Sequence, residues 1–286
     1  MLNRSALWGL TTAAFMVASF TMAGAALAVP ADLVQKHREM LYPVVVVAAG
    51  SGLGSGTVIF SAESNSEWRT YVLTNHHVVR SAITVKEEWD PKTQEEVKRE
   101  QRSPVQVRWF DYNDYSREIG TRGQIADIVA YDATLDLALL RTRDMERGVQ
   151  YVAYLMPEDA PLYLFEITWA VGAGLGKPPF PTEGAVSNLD QRINGQRYIL
   201  SSAPIIFGNS GGGLFHWSPE REHYEFMGVP AKVSVTFGSG VVTHMAWAIP
   251  MTTVREFLRD NDFGFILGDP PSEESEETEE TEADDE

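Results

Sequence analysis

Residues 44–60 read Val44-Val45-Val46-Val47-Ala48-Ala49-Gly50-Ser51-Gly52-Leu53-Gly54-Ser55-Gly56-Thr57-Val58-Ile59-Phe60. A β-branched run, a glycine-rich turn and a second β-branched run predict two strands folded against each other. The glycines lack the Lys-Ser or Lys-Thr ending of a phosphate-binding loop, and a strand pattern follows them instead of a helix. The same style continues outward. Short strand patterns fall at 71–74, 83–85, 105–110, 125–131 and 135–141, then at 162–171, 182–189, 197–200, 213–217, 225–229, 233–237 and 245–249. Helical spacing occurs near the ends, in Leu33, Val34, His37, Met40 and Leu41 and in Val254, Phe257 and Leu258 after Pro250. Residues 86–104 are polar and charged without alternation and read as an insertion, partly helical. So many short strands point to two packed barrels or sandwiches, not to an α/β fold.

The 286 residues include no cysteine and carry a formal charge of −17. A disulfide scaffold, a thiol nucleophile, an iron–sulfur cluster and a Cys-ligated zinc site are therefore excluded. The acidity argues against nucleic acid as a partner, because such binders gain affinity from Lys and Arg on phosphates. It is also uneven. Without the eleven acidic residues of 269–286 the charge of −17 falls to −6. This tail offers almost nothing to bury and reads as a disordered, solubilising segment.

At the other end Arg4 precedes an uncharged stretch over 5–31 that finishes in Ala26-Leu27-Ala28, a small-x-small site. Residues 1–28 read as a secretory signal, with an uncleaved membrane anchor over 5–29 as the alternative. Either places the body outside the cytoplasm, in a periplasmic or extracellular space. With the signal cleaved, no stable membrane insertion is expected. The domain then occupies 29–268.

Three segments carry chemistry. In Phe207-Gly208-Asn209-Ser210-Gly211-Gly212-Gly213 a serine sits in a glycine-flanked turn, which offers access and converging backbone amides. In Leu73-Thr74-Asn75-His76-His77-Val78-Val79 a strand ends in a polar turn bearing histidine, a position suited to a general base. In Asp132-Ala133-Thr134-Leu135-Asp136-Leu137-Ala138-Leu139-Leu140 an acid is embedded in an apolar run. Orienting an imidazole would justify that burial, whereas Asp132 fits a turn cap better. The order His, Asp, Ser is that of the chymotrypsin-type triad. His216, His223 and His244 show no metal-ligand spacing. No metal and no cofactor are expected.

These segments, with 52–59 and Ala248-Ile249-Pro250, resemble the HtrA/Deg branch of the trypsin-like serine proteases over roughly residues 44–260. The resemblance implies an all-β fold of two antiparallel six-stranded β-barrels with short terminal helices and an active site between them. The barrels would span about 42–145 and 150–250, with a closing helix at about 251–261. It implies His77 as general base in preference to His76, Asp136 as its orienting acid and Ser210 as nucleophile. Gly208 and Ser210 would supply oxyanion amides, with Asn209 shaping the turn between them. Because Asn209 replaces the Asp of many digestive relatives, activation by an ion pair to a new N-terminus is not expected.

The chain also departs from that family. Too few residues follow 260 for a PDZ domain, so none is expected and the oligomeric state is left open. Ile205, Ile206 and Phe207, with Lys232, Val233 and Ser234, are expected to line the specificity pocket. An apolar lining without an acid at its base argues for a small or medium apolar residue before the cleaved bond. The expected activity is hydrolysis of protein or peptide substrates by an exported serine endopeptidase. The alternative is a catalytically silent binding or chaperone-like protein on the same fold.

Overall fold

A computed structural model describes residues 29–269 apart from 65, 91, 93, 114, 116, 144, 146 and 236–239. The expected signal at 1–28 and nearly all of the expected tail lie outside the described residues. The first barrel is built from β1 (Val44–Ala49), β2 (Gly52–Ser64), β3 (Glu67–Thr74), β6 (Val105–Asn113), β7 (Arg117–Asp132) and β8 (Leu137–Thr142). Its antiparallel order is β1-β2-β3-β8-β7-β6, and β6 pairs back onto β1 to close it.

The unbroken apolar runs follow from this closure. Side chains alternate across a strand, so a strand with both faces buried is apolar throughout. Tyr71 and Leu73 of β3 face the larger core, while Val72 between them faces the core inside the first barrel. On β8, Leu137 and Leu139 join the larger core, and Ala138 and Leu140 join the smaller. Strands β3 and β8, paired in register, thus form a wall shared by two cores.

The second sheet contains β9 (Tyr154–Leu155), β10 (Ile167–Gly172), β11 (Phe180–Ile193), β12 (Gln196–Ser201), β13 (Gly213–Ser218), β14 (His223–Val235) and β15 (Val241–Pro250). Six strands run β13-β10-β11-β12-β15-β14, and the β13–β14 pairing closes them into a second barrel. The seventh strand, β9, adds to β14 in parallel. The helix α3 (Met251–Asp260) packs Met251, Val254, Phe257 and Leu258 against this barrel. At the other end α1 (Ala31–Lys36) runs into a π-turn over His37–Leu41 that buries Met40. Among the described residues no helix is long and apolar enough to cross a membrane.

Several local expectations need correction. The insertion is not helical. Strands β4 (Ile83–Asp90) and β5 (Glu95–Arg102) form a separate two-stranded ribbon. It lacks hydrophobic alternation because neither face is buried; charges pair across it instead, as in Lys98 with Glu87 at 3.8 Å. The strands expected at 225–229 and 233–237 are one strand, β14, which passes through Pro230. A register shift between Pro230 and Lys232 lets the ladder tolerate a residue without an N–H. Strand β10 begins only at Ile167, and Phe165 before it has φ 72. The first glycine turn is also shorter than its composition implies. Gly54 and Gly56 lie within β2, where a Cβ would come within 2.6 Å of Val78 and 2.5 Å of Val72 respectively.

Candidate active site

Strand β3 ends at Thr74, and Asn75 leads into a single helical turn, α2 (His76–Val79). The bend between β7 and β8 carries Asp136 at φ 57, a left-handed conformation that Asp adopts more readily than most residues. Asp132 builds the bend by accepting the N–H groups of Thr134 at 2.6 Å and Leu135 at 2.8 Å. Two side chains hold its far side. Asn75 Nδ2 donates to Asp136 O at 2.8 Å, and Gln196 Nε2 donates to Leu135 O at 2.6 Å.

These constraints aim the Asp136 carboxylate at His77. His77 Nδ1 lies 2.8 Å from Oδ2 and 3.0 Å from Oδ1, and the His77 backbone N–H donates to Oδ1 at 3.0 Å. An ionised carboxylate only accepts, so the proton of a neutral His77 ring belongs on Nδ1 and the lone pair on Nε2. His76 points elsewhere. Its ring stacks on Tyr131 at 5.1 Å, and burial pushes the imidazole below its ordinary range.

Ser210 follows a turn over 206–209. Asn209 N–H donates to Ile206 O at 3.1 Å and Gly208 has φ +100, as the third position of a type II turn requires. A Cβ on Gly208 would lie 2.5 Å from Ala173 O. The Phe207 carbonyl accepts the Leu175 N–H at 2.7 Å. In a trans peptide the neighbouring Gly208 N–H then points the opposite way. Among the described residues, no acceptor takes the N–H of Gly208 or of Ser210. Asn209 is buried, and its Oδ1 accepts the Ile206 N–H at 3.1 Å. The next glycine, Gly211 at φ +84, lies so close to the His77-bearing segment that a Cβ there would be 3.2 Å from Asn75 N. The turn of Ser210 and the turn of His77 therefore meet.

The six residues expected to line a pocket do not all share one surface. Ile205 is buried in the larger core, whereas Phe207 is 65% exposed. Ile206 and Phe180 approach each other over Gly174, where a Cβ would come within 2.8 Å of Phe180 and 3.0 Å of Ile206. The Lys232 ammonium lies 4.6 Å from the Tyr198 ring centroid and donates to the Tyr198 hydroxyl. Val233 is half-buried, and Ser234 Oγ accepts the Trp247 indole N–H at 2.9 Å. Sequence reasoning passed over Phe180, Asn75 and Gln196. Only Asn75 had a signal, its place just before the two histidines. A cavity of about 830 Å³ opens beside Tyr42, Trp109, Tyr112 and Tyr151, and none of His77, Asp136 and Ser210 lines it.

A comparison with solved structures finds an HtrA-type protease, AlgW, solved with a tripeptide, at a TM-score of 0.56 and 20% identity. The match covers 80% of this chain and 62% of that one, and at this identity it speaks to the fold. A search of curated proteins found no match. A family model for the trypsin-like peptidase domain matches residues 54–219, which span both the His77 turn and the Ser210 turn. That match takes in more than half of the sequence, and the chain accordingly belongs to the trypsin-like peptidase family.

Proposed function

We propose that the protein is an exported serine endopeptidase of HtrA-like type, acting on protein substrates through Ser210, His77 and Asp136. The observation that carries this reading is the His77–Asp136 pairing at 2.8 Å beside the glycine turn of Ser210. In the reaction the Ser210 hydroxyl attacks a substrate carbonyl and His77 Nε2 takes its proton. Asp136 holds the ring and stabilises the imidazolium that forms. The N–H groups of Gly208 and Ser210 receive the developing oxyanion, a role their lack of acceptors leaves open to them. His77 then protonates the departing amine. Water, deprotonated by His77, attacks the acyl-enzyme ester, and the proton returns to Ser210 as the acid leaves.

Asn209 brings no charge for a protein ammonium, and its side-chain carbonyl is occupied within its own turn. Activity is therefore independent of a newly cut N-terminus. The apolar faces of Ile206 and Phe180 favour an apolar residue before the scissile bond. Export rests on the signal pattern of residues 1–28. The test is a fluorophosphonate probe on the mature protein and on its Ser210→Ala variant, read by intact mass. One adduct on the parent alone supports the reading, and no adduct on either sinks it.

A further inference from the structure

Ser55 lies on β2, in the first barrel, and is fully buried. It nevertheless reaches the turn of the second barrel that precedes the nucleophile. Its hydroxyl donates to Gly208 O at 2.6 Å and accepts the Ala173 N–H at 2.7 Å. The directions are unambiguous, because a carbonyl only accepts and an amide only donates. Its backbone N–H donates to Ser210 O at 2.8 Å, and its carbonyl accepts the Thr74 hydroxyl at 2.7 Å. One residue thus touches the nucleophile, the glycine before it and the strand that delivers His77.

We infer that Ser55 is a positioning residue for the oxyanion amide of Gly208, an assignment that rests on the serine endopeptidase reading above. The reasoning starts from the freedom of glycine. Gly208 holds φ +100, but a glycine visits negative φ about as readily. Conversion of its turn from type II to type I would rotate the Phe207–Gly208 peptide by about half a turn. The Gly208 N–H would then leave the place where an oxyanion forms. One tether opposes this directly and a second supports it. The peptide before Gly208 is held through the Phe207 carbonyl by the Leu175 N–H at 2.7 Å. The Ser55 hydroxyl holds the peptide after Gly208, which the conversion leaves in place, and so fixes the pivot against which the first tether acts. Leu175 sits in an exposed turn at φ 54, so the first tether hangs from a conformation unfavourable for leucine. The second is anchored in a buried barrel strand, and through Ala173 it also fixes the end of the segment that carries Leu175.

Losing the hydroxyl leaves Gly208 O and the buried Ala173 N–H without partners, while the backbone bonds of Ser55 remain. The geometry of His77 and Asp136 is untouched. The loss therefore falls on the transition state, where the amide is used, and not on ground-state binding.

The experiment compares the full mature protein with Ser55→Ala. Steady-state peptide hydrolysis is measured together with inhibition by a peptide aldehyde, whose tetrahedral adduct needs the oxyanion amides, and binding of the product peptide lacking its terminal carboxylate, which does not. The expected result is a kcat lower by roughly 10- to 100-fold, since one oxyanion donor is loosened and not deleted. KM stays within about threefold, and aldehyde affinity falls in step with kcat while product affinity holds. Ser55→Cys fills the same space with a poor donor and shows the same split should alanine prevent folding. Unchanged kcat, or equal losses for aldehyde and product, overturns the assignment while leaving the protease reading intact. A parent protein that neither hydrolyses peptides nor labels at Ser210 overturns both.

Discussion

The Asp136 carboxylate accepts two groups of His77 at once, the ring Nδ1–H at 2.8 Å and the backbone N–H at 3.0 Å. The second contact ties the acid to the chain that bears the ring and fixes the carboxylate relative to the imidazole. Asp136→Asn would keep the shape but present an N–H to Nδ1 and favour the wrong tautomer. On the proposed mechanism kcat falls by on the order of 10⁴-fold with the fold intact. His77→Ala is similarly inactive, whereas His76→Ala, which removes only the stack on Tyr131, keeps kcat within about fivefold. Hydrolysis of one peptide by the three variants checks this, and an inactive His76→Ala beside an active His77→Ala would reverse the assignment.

Gly208→Ala tests the turn. At φ +100 a side chain is strained, and its Cβ would lie 2.5 Å from Ala173 O and 2.8 Å from Leu175 N. The backbone must shift, and the amide shifts with it. Activity is expected to fall by at least about 100-fold. Thermal unfolding, followed alongside, shows whether the protein remains folded.

A pH dependence follows from Glu225, a fully buried carboxylate on β14. Burial pushes it up, but the Arg221 guanidinium bonded to both its oxygens, with His216 and His223 nearby, more than offsets this and holds it below the usual carboxylate range. A depressed folded value means that its contribution is complete above the unfolded value of about 4.3 and is lost as pH falls through the folded value. Glu225→Gln is expected to cost about 3 kcal/mol at pH 7, by leaving Arg221 and the histidines around a neutral amide. The deficit should shrink below about pH 4. Urea melts of both proteins at pH 7 and pH 3.5 measure it, and a deficit that grows on acidification contradicts the assignment.

The ribbon of β4 and β5 is expected to be dispensable for the fold. Its ion pairs are exposed, and such pairs contribute about 0–1 kcal/mol. Its base is anchored by Arg102 Nη1 to Ile128 O at 3.1 Å and Val129 O at 3.0 Å, with the guanidinium 5.0 Å over Tyr131, whose hydroxyl donates to Glu100. Replacing residues 86–99 by a short turn should leave the unfolding midpoint within a few degrees. A much larger drop would mean that the ribbon packs on the barrels.

Most of the strands were legible because the signals that make them are local. The run at 44–47 and the run at 137–140 marked strands buried on both faces, and the partition of Leu137 and Leu139 from Ala138 and Leu140 shows why no alternation appeared. The ribbon was misread for the converse reason, since a strand with both faces in water has no apolar period. Pro230 concealed the continuity of β14, because the bulge that accommodates it belongs to the pairing and not to the strand.

Residue chemistry and spacing by themselves determined that this is a β protein with a histidine turn, an embedded acid and a serine in a glycine turn. Each of those depends on neighbours within a few positions. Tertiary structure alone decided that Ile205 enters the core while Phe207 faces solvent, and that Lys232 lies across Tyr198. It alone joined the Ser55 hydroxyl to Gly208, 153 positions away. A contact between barrels leaves no period in the chain, because its two halves are brought together only when both barrels have closed.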